Sequence, residues 1–104
     1  MKRSLFLSLI LAAASSVPAE DVSYRLETVS LPEGVPPEVG ALGFSPSGTL
    51  FVALRRSDVL TAIPKKDPSQ FGWKRFASGL HNACGMVVLS DREIIVSQMA
   101  ELTR

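Results

Sequence analysis

The sequence predicts an all-β fold, and three observations support this prediction. No segment after residue 19 has the 3.6-residue apolar spacing of an amphipathic helix. Short runs rich in Val, Ile, Leu and Phe alternate with segments containing Pro or Gly, as in chains made of short strands. In addition, one half of the chain repeats the apolar pattern of the other half.

The strand predictions follow the β-branched and aromatic residues along the chain. The predicted strands are 24–30, 41–44, 50–54, 59–63, 73–76, 86–89 and 94–98. SPSG (45–48) predicts a hairpin turn, because Pro suits its second position and Gly its fourth. LSDRE (89–93) is expected to form the equivalent turn of a second hairpin, and PKKDPSQFG (64–72) an exposed loop.

The repeat appears when the sequence is shifted by 44 residues without a gap. Each copy then reads small residue, apolar strand, polar turn, apolar strand. The matched pairs are Ala41 with Gly85, Leu42 with Met86, Phe44 with Val88, Ser47 with Asp91, Leu50 with Ile94, Phe51 with Ile95 and Val52 with Val96. A period in the forties made of short strands is typical of one propeller blade per repeat. Chance agreement between two ordinary hairpins is the alternative, since apolar strands resemble one another.

The length of the chain corresponds to about one and a half blades, whereas closed propellers use about four to eight. The first blade is expected at about 24–76 and the start of a second at about 79–104. Because the faces of a blade are covered by its neighbours, we expect residues 20–104 to be the N-terminal fragment of a longer propeller. Its partners would be the remaining blades of that longer chain.

The first residues have the organisation of a secretory signal peptide. Lys2 and Arg3 form a positive region, an apolar run follows at 5–14, and V-P-A at 17–19 gives an A-x-A-like cleavage site. The run is short for a membrane span. We therefore expect residues 1–19 to be removed and the rest to be secreted or periplasmic, with no later membrane span; an uncleaved signal anchor is the alternative.

The charge pattern argues against nucleic-acid binding. Eleven Lys and Arg residues balance ten Asp and Glu residues, and the basic doublets at 55–56, 65–66 and 74–75 are scattered rather than concentrated on one face. The carboxylates lack the paired arrangement of glycosidases, and no phosphate-binding or dinucleotide motif occurs. Cys84 is the only cysteine, so no disulfide can form within the chain.

Several segments resemble, in order, one family of exported proteins. LPEGVPPEVGALGFSPSGTLFVALRRSDVL (31–60) matches an opening LP-G, then EVG-L-F-P-G-L-V and an RR-G-V-like strand. WKRFASGLHNACGMVV (73–88) matches W--FA-GLH-PLG--V, and ELTR resembles the strand before an acidic loop. The chain thus resembles the glucose/sorbosone dehydrogenase-like propellers. It departs from their pattern at 82–84, where Asn-Ala-Cys replaces Glu-Pro-Leu, and it lacks the Gly residues expected near Ser57 and Arg92.

The resemblance implies an exported, six-bladed-type propeller that oxidises a sugar or aldose with PQQ and Ca²⁺. In such enzymes a His removes the hydroxyl proton during hydride transfer to the quinone, and that His and the metal ligands come from later blades. No residue here is therefore assigned a catalytic or metal-binding role, and the isolated fragment is expected to be inactive. The alternative is a non-catalytic propeller module that binds polysaccharide or a protein partner.

Two residues are candidates for binding the cofactor or a sugar. His81 precedes the predicted inner strand of the second blade, where propellers place ligand-binding loops. The alternative is a structural His whose ring nitrogen holds the 79–85 turn. Arg55, like its neighbour Arg56, follows an inner strand and would suit an anionic tricarboxylate such as PQQ. Only one of the two can face inward, and the alternative is an exposed strand end.

Three further side chains are expected to have packing roles. A metal site on His81 and Cys84 lacks ligands, because zinc sites use three or four protein side chains and the chain has no other His or Cys. Cys84 is instead expected to be a buried thiol. Trp73 and Phe76 are expected to pack between blades rather than to form a platform for a sugar.

Overall fold

The computed structural model describes residues 23–104, so the predicted signal peptide at 1–19 lies outside the described residues. The described chain is all-β, as predicted, and its only helical element there is a short 3₁₀ turn at Pro68–Gln70. The strands are β1 (Val39–Phe44), β2 (Leu50–Leu54), β3 (Val59–Ala62), β4 (Lys74–Ala77), β5 (Gly85–Ser90), β6 (Glu93–Gln98) and β7 (Glu101–Thr103). Within residues 23–104 no helix is long and apolar enough to cross a membrane.

The strands form two antiparallel sheets, one of four strands in the order β1-β2-β3-β4 and one of three in the order β5-β6-β7. The first hairpin of each sheet has the same register. Leu42 pairs with Val52 in the first sheet, and Met86 pairs with Val96, 44 residues later, in the second. The predicted turns connect these hairpins at 45–49 and at 91–92. No closed ring of blades is formed by the described residues.

The main core lies between the two sheets. Phe51, Ala53 and Val59 of the first sheet are buried together with three residues of the second part of the chain, which are Ala83, Ile94 and Val96. Phe76 of β4 meets Phe51 edge to face, with 5.1 Å between ring centroids. Phe76 therefore packs between the sheets, as predicted.

The sheets approach each other most closely at their first strands, β1 and β5. A Cβ atom on Gly43 would lie 2.9 Å from Cγ2 of Val88, and one on Gly40 would overlap the carbonyl oxygen of Ala83. Since packed carbon atoms stay about 3.5–4.0 Å apart, only glycine fits these two positions without a shift of the sheets. The small residues of β1 thus set the spacing between the sheets.

The other face of the first sheet is partly covered by the N-terminal segment. Leu31 and Val35 pack against Val52, Leu54 and Leu60. Trp73 packs in the same cluster, and its Nε1–H donates a hydrogen bond to the carbonyl of Ser30 at 2.8 Å. Trp73 thus does not pack between the two described sheets; its ring holds the N-terminal segment on the outer face of the first sheet.

The predicted strand at 24–30 is wrong. Residues 24–30 are irregular, and the side chains of Tyr24 and Leu26 are 89% and 99% exposed. A strand needs a neighbour with which to exchange backbone hydrogen bonds. Residues 24–30 pair with no strand of either sheet, and the chain is first anchored after them, where Leu31 and Val35 pack on the face of the first sheet.

Candidate functional site

One end of the two sheets, here called the loop end, collects the segments that carry the candidate residues. It consists of the β2–β3 turn (55–58), the loop before β5 (79–84), the β6–β7 turn (99–100) and the segment before β1 (36–38). β1 and β5 start side by side, because Gly40 contacts Ala83. The structure therefore brings Arg55 and His81 to the same end of the molecule.

His81 is exposed, and its hydrogen bonds within residues 23–104 are made by its backbone. The N–H group donates to Oε1 of Gln98 at 2.8 Å, and the carbonyl accepts from the N–H of Met99 at 2.8 Å. Cys84 extends this contact, because its N–H donates to the carbonyl of Ser97 at 3.0 Å. The turn is thus held to the β6–β7 hairpin by the backbone of His81 rather than by its ring.

The same loop is also fixed to the first sheet through Ser57. The N–H of Gly79 donates to Oγ of Ser57 at 3.1 Å, and the N–H of Leu80 donates to its carbonyl at 3.0 Å. Ser57 lies near a position where the pattern of the family that the chain resembles has a Gly. Sequence patterns did not identify it as a loop anchor, since its partners lie more than 20 residues away. The loop therefore bridges the two sheets.

Arg55 and Arg56 differ in their surroundings. Arg56 forms an ion pair with Glu38, with 3.1 Å between Nε and Oε2. Arg55 donates its backbone N–H to the carbonyl of Glu38 at 2.8 Å, and its guanidinium takes part in none of the ion pairs within residues 23–104. Its Cγ lies close to Gly40, on the side facing the second sheet. Arg55 is therefore the member of the pair with a charge available at the loop end.

Arg55 follows β2, and β2 is not the strand that lies closest to the second sheet. β2 is the second strand of the first sheet, and β1 makes the contact with β5. Arg55 reaches the inter-sheet side because it follows the end of β2, beside the start of β1. Arg55 and His81 are both exposed.

The prediction that Cys84 is a buried thiol is wrong. Cys84 is exposed, and the buried residue of this turn is Ala83, at 0% exposure. The reason is a left-handed backbone at Asn82, with φ of 51°, which directs Ala83 under Gly40 and Cys84 outward. Among residues 23–104 no group of three His, Cys, Asp or Glu side chains could hold a metal ion.

A small cavity near the loop end is lined by two of the four ion pairs among residues 23–104. It has a volume of about 270 Å³ and lies between the N-terminal segment and the β2–β3 turn. Its charged lining consists of the Arg56–Glu38 pair and the pair of Arg75 with Asp58, 3.4 Å apart. Neither Arg55 nor His81 lines it. This cavity is therefore separate from the two candidate residues.

The opposite end of the sheets has a contact between the two hairpin turns. Oγ of Ser47 lies 2.7 Å and 2.8 Å from the two carboxylate oxygens of Asp91, to which it donates. Hydrogen bonds from the hydroxyls of Ser45 and Ser47 hold the pKa of the Asp91 carboxyl below its ordinary value. Ser47 and Asp91 are equivalent under the shift of 44, but the repeat alone did not predict that they touch.

Searches against protein-family models, curated proteins and solved structures found no match to this chain.

The residues of the loop end fit an anionic cofactor in one respect, because the Arg55 guanidinium can pair with a carboxylate and the His81 ring can hydrogen-bond to an oxygen. They do not fit Ca²⁺, which takes six to eight oxygen ligands, since the described residues bring no set of carboxylates together.

Proposed function

We propose that this chain supplies blades of an exported propeller that oxidises a sugar or aldose with PQQ, and that its own part is scaffold and rim rather than catalyst. The observation that supports the proposal is the pair of antiparallel sheets. Their first hairpins have the same register at positions 44 residues apart, and they stack through their first strands. This is the arrangement expected of successive blades.

The loop end is where the proposed protein would bind its ligands. Arg55 would pair with a carboxylate of PQQ, and His81 would donate a hydrogen bond to the quinone or to a sugar hydroxyl. PQQ supplies the oxidising quinone when it is bound. No step of proton removal is assigned to this chain, and no ligand of Ca²⁺ is assigned to it either.

The test is dye reduction by the protein expressed with any in-frame sequence that follows residue 104, loaded with PQQ and Ca²⁺ and supplied with aldoses. Reduction that depends on PQQ and is lost with a chelator is the expected result. If the folded protein reduces no dye with any aldose, the enzymatic proposal is overturned, whether or not the protein binds PQQ. Binding of polysaccharide without oxidation would instead support the non-catalytic module.

The proposed role of Arg55 has a matched control in its neighbour. Arg55→Ala is expected to weaken PQQ binding about tenfold, because it removes an unpaired cation at the loop end. Arg56→Ala removes the same charge from a residue already paired with Glu38, and PQQ binding is expected to stay unchanged. Equal losses in both variants would mean that the effect is one of net charge and not of a site at Arg55.

A further inference from the structure

A polar cavity lies at the end of the sheets opposite the loop end, beside the two hairpin turns. It has a volume of about 400 Å³. Its polar lining on the first sheet includes Thr49, Thr61, Lys65 and Lys74, and Asp91 lines it from the turn of the second sheet. Both sheets therefore contribute polar side chains to one cavity, which is separate from the candidate residues of the loop end.

The strand register explains why two of these side chains face the second sheet. Thr61 pairs with Phe51 of β2 on one side and with Lys74 of β4 on the other. Residues directly opposite each other in an antiparallel sheet point to the same face. Phe51 is fully buried in the core between the sheets, so Thr61 and Lys74 lie on that face as well. The inner face of the first sheet is thus apolar at its centre and polar where it reaches the cavity.

The charges around the cavity are only partly used within the described chain. Neither Lys65 nor Lys74 takes part in an ion pair within residues 23–104, and both are exposed. The carboxylate of Asp91 accepts from the hydroxyl of Ser47, and the hydroxyls of Ser45 and Ser47 hold the pKa of that carboxyl below its ordinary value. The cavity therefore offers two unpaired cations and one carboxylate that is ionised at neutral pH.

This combination of charges selects among ligand chemistries. A simple anion such as phosphate would be attracted by the lysines but repelled by Asp91, and a neutral sugar would leave both lysines without a partner. A sugar that carries a carboxylate meets both demands. Its carboxylate pairs with the ammonium groups, while its hydroxyls donate to Asp91 and bond to the threonine hydroxyls.

The shape of the cavity agrees with a ligand of this kind. Ile63 is 69% exposed and lines the same cavity, where it offers apolar contact to the C–H face of a sugar ring. The volume of the cavity falls within the range of small-molecule sites, about 300–1,000 Å³. A single sugar residue therefore has both room and apolar support there.

We propose that this cavity binds an acidic sugar, such as a hexuronate residue, with the two lysines on its carboxylate and with the threonines and Asp91 on its hydroxyls. The binding is non-covalent. It is independent of the proposed sugar oxidation, because the cavity and the loop end lie at opposite ends of the sheets.

The test is calorimetric titration of the protein, expressed with any in-frame sequence that follows residue 104, with sodium glucuronate and without PQQ. At about 10 mM glucuronate, a site with a Kd of about 1 mM is about nine-tenths occupied. Glucose, acetate and inorganic phosphate are the comparison ligands, and each is expected to bind at least about tenfold more weakly than glucuronate.

Matched substitutions assign the binding to the cavity. Lys65→Gln and Lys74→Gln are each expected to weaken glucuronate binding about fivefold, because each removes one unpaired cation. Lys66→Gln is the control, since it removes the same charge from a lysine that does not line the cavity, and binding is expected to stay unchanged. Thr61→Val removes a hydroxyl at similar shape and is expected to weaken glucuronate binding about threefold while acetate binding stays unchanged.

Folding of every sample is followed by far-UV circular dichroism. If the protein alone has no cooperative melt, a melt that appears only with glucuronate counts as binding, because a ligand of the folded state stabilises it. The absence of both binding and such a melt at about 10 mM glucuronate overturns the proposal. Glucose binding as tight as that of glucuronate overturns the role of the lysines, and acetate or phosphate binding as tight overturns the sugar. Equal losses in Lys65→Gln and Lys66→Gln overturn the assigned site.

Discussion

Gly43 shows how one residue fixes the spacing of the two sheets. A Cβ there would lie 2.9 Å from Val88, so Gly43→Ala is expected to lower the free energy of unfolding by about 1–3 kcal/mol. Gly72→Ala is the matched control, because no atom lies within 4 Å of its Cβ position. The measurement is urea denaturation. Val88→Ala should relieve part of the cost of Gly43→Ala, and equal effects of the two glycine substitutions would contradict the close approach.

Asp91 provides a second prediction at the level of one residue. Because hydroxyls of Ser45 and Ser47 lower its pKa in the folded state, the ionised carboxylate stabilises the fold. That contribution is complete above the ordinary pKa of 3.8 and is lost as the pH falls through the lower folded-state value. The urea midpoint of the wild type is therefore expected to fall more than that of Asp91→Asn as the pH decreases from about 5 to about 2.

A double-mutant cycle separates this contact from the general effect of acid. Ser47→Ala and Asp91→Asn should be non-additive at neutral pH, since each removes the same hydrogen bonds between the two turns. Their coupling should vanish at the acid end of the range, where the carboxylate is protonated. Additive effects at neutral pH would show that the two turns do not stabilise one another.

The loop before β5 illustrates how an element is held by contacts distant in sequence. Gln98 accepts the N–H of His81 and also donates to Oγ1 of Thr103 at 2.6 Å. Gln98→Leu is therefore expected to cost about 1 kcal/mol of unfolding free energy. His81→Ala keeps the backbone contacts and should stay within about 0.5 kcal/mol of wild type. Denaturation of both variants is the measurement, and an equal cost would mean that the ring is structural.

The strands themselves were largely predictable from the sequence. The prediction for 50–54 coincides with β2, and β1, β3, β4, β5 and β6 lie within two residues of their predicted bounds. β7 was not among the strands predicted from the residue pattern; only the resemblance of ELTR to a strand indicated it. The agreement follows because burial of one or both faces imposes a pattern of apolar residues that is visible locally. The segment at 24–30 has the same local pattern, but a strand also needs a partner, and partners are a property of the whole fold.

The candidate site was predictable only in part. The positions of His81 and Arg55 near one end follow from the order of strands and turns. Their surroundings do not, because Ser57 and Gln98 come from other elements and pair with backbone groups of the loop. Ala83 is buried where Cys84 was expected to be, and this depends on the left-handed backbone at Asn82, which the apolar pattern does not reveal.

At the scale of the whole molecule, each sheet has one face buried against the other sheet and one outer face that carries exposed apolar side chains. The exposed apolar side chains of these faces include Val39, Leu42 and Phe44 on the first sheet and Val87, Leu89 and Leu102 on the second. Contiguous exposed apolar surface of this kind is typical of interaction sites rather than of isolated monomers. The repeat explains this arrangement, because two equivalent sheets that stack through opposite faces each keep one face uncovered.

The outer faces predict how the folded chain binds an apolar dye. Fluorescence of 8-anilinonaphthalene-1-sulfonate is expected to fall when Leu42→Thr and Phe44→Thr are introduced, and to fall further with Val87→Thr and Leu89→Thr. Threonine keeps the strand propensity while it removes most of the apolar surface. Ile63→Thr is the control, since Ile63 is 69% exposed but lies outside the strands of both faces, and it should leave the signal unchanged. An unchanged signal in all four face substitutions would mean that the dye binds elsewhere and that these faces are covered in solution.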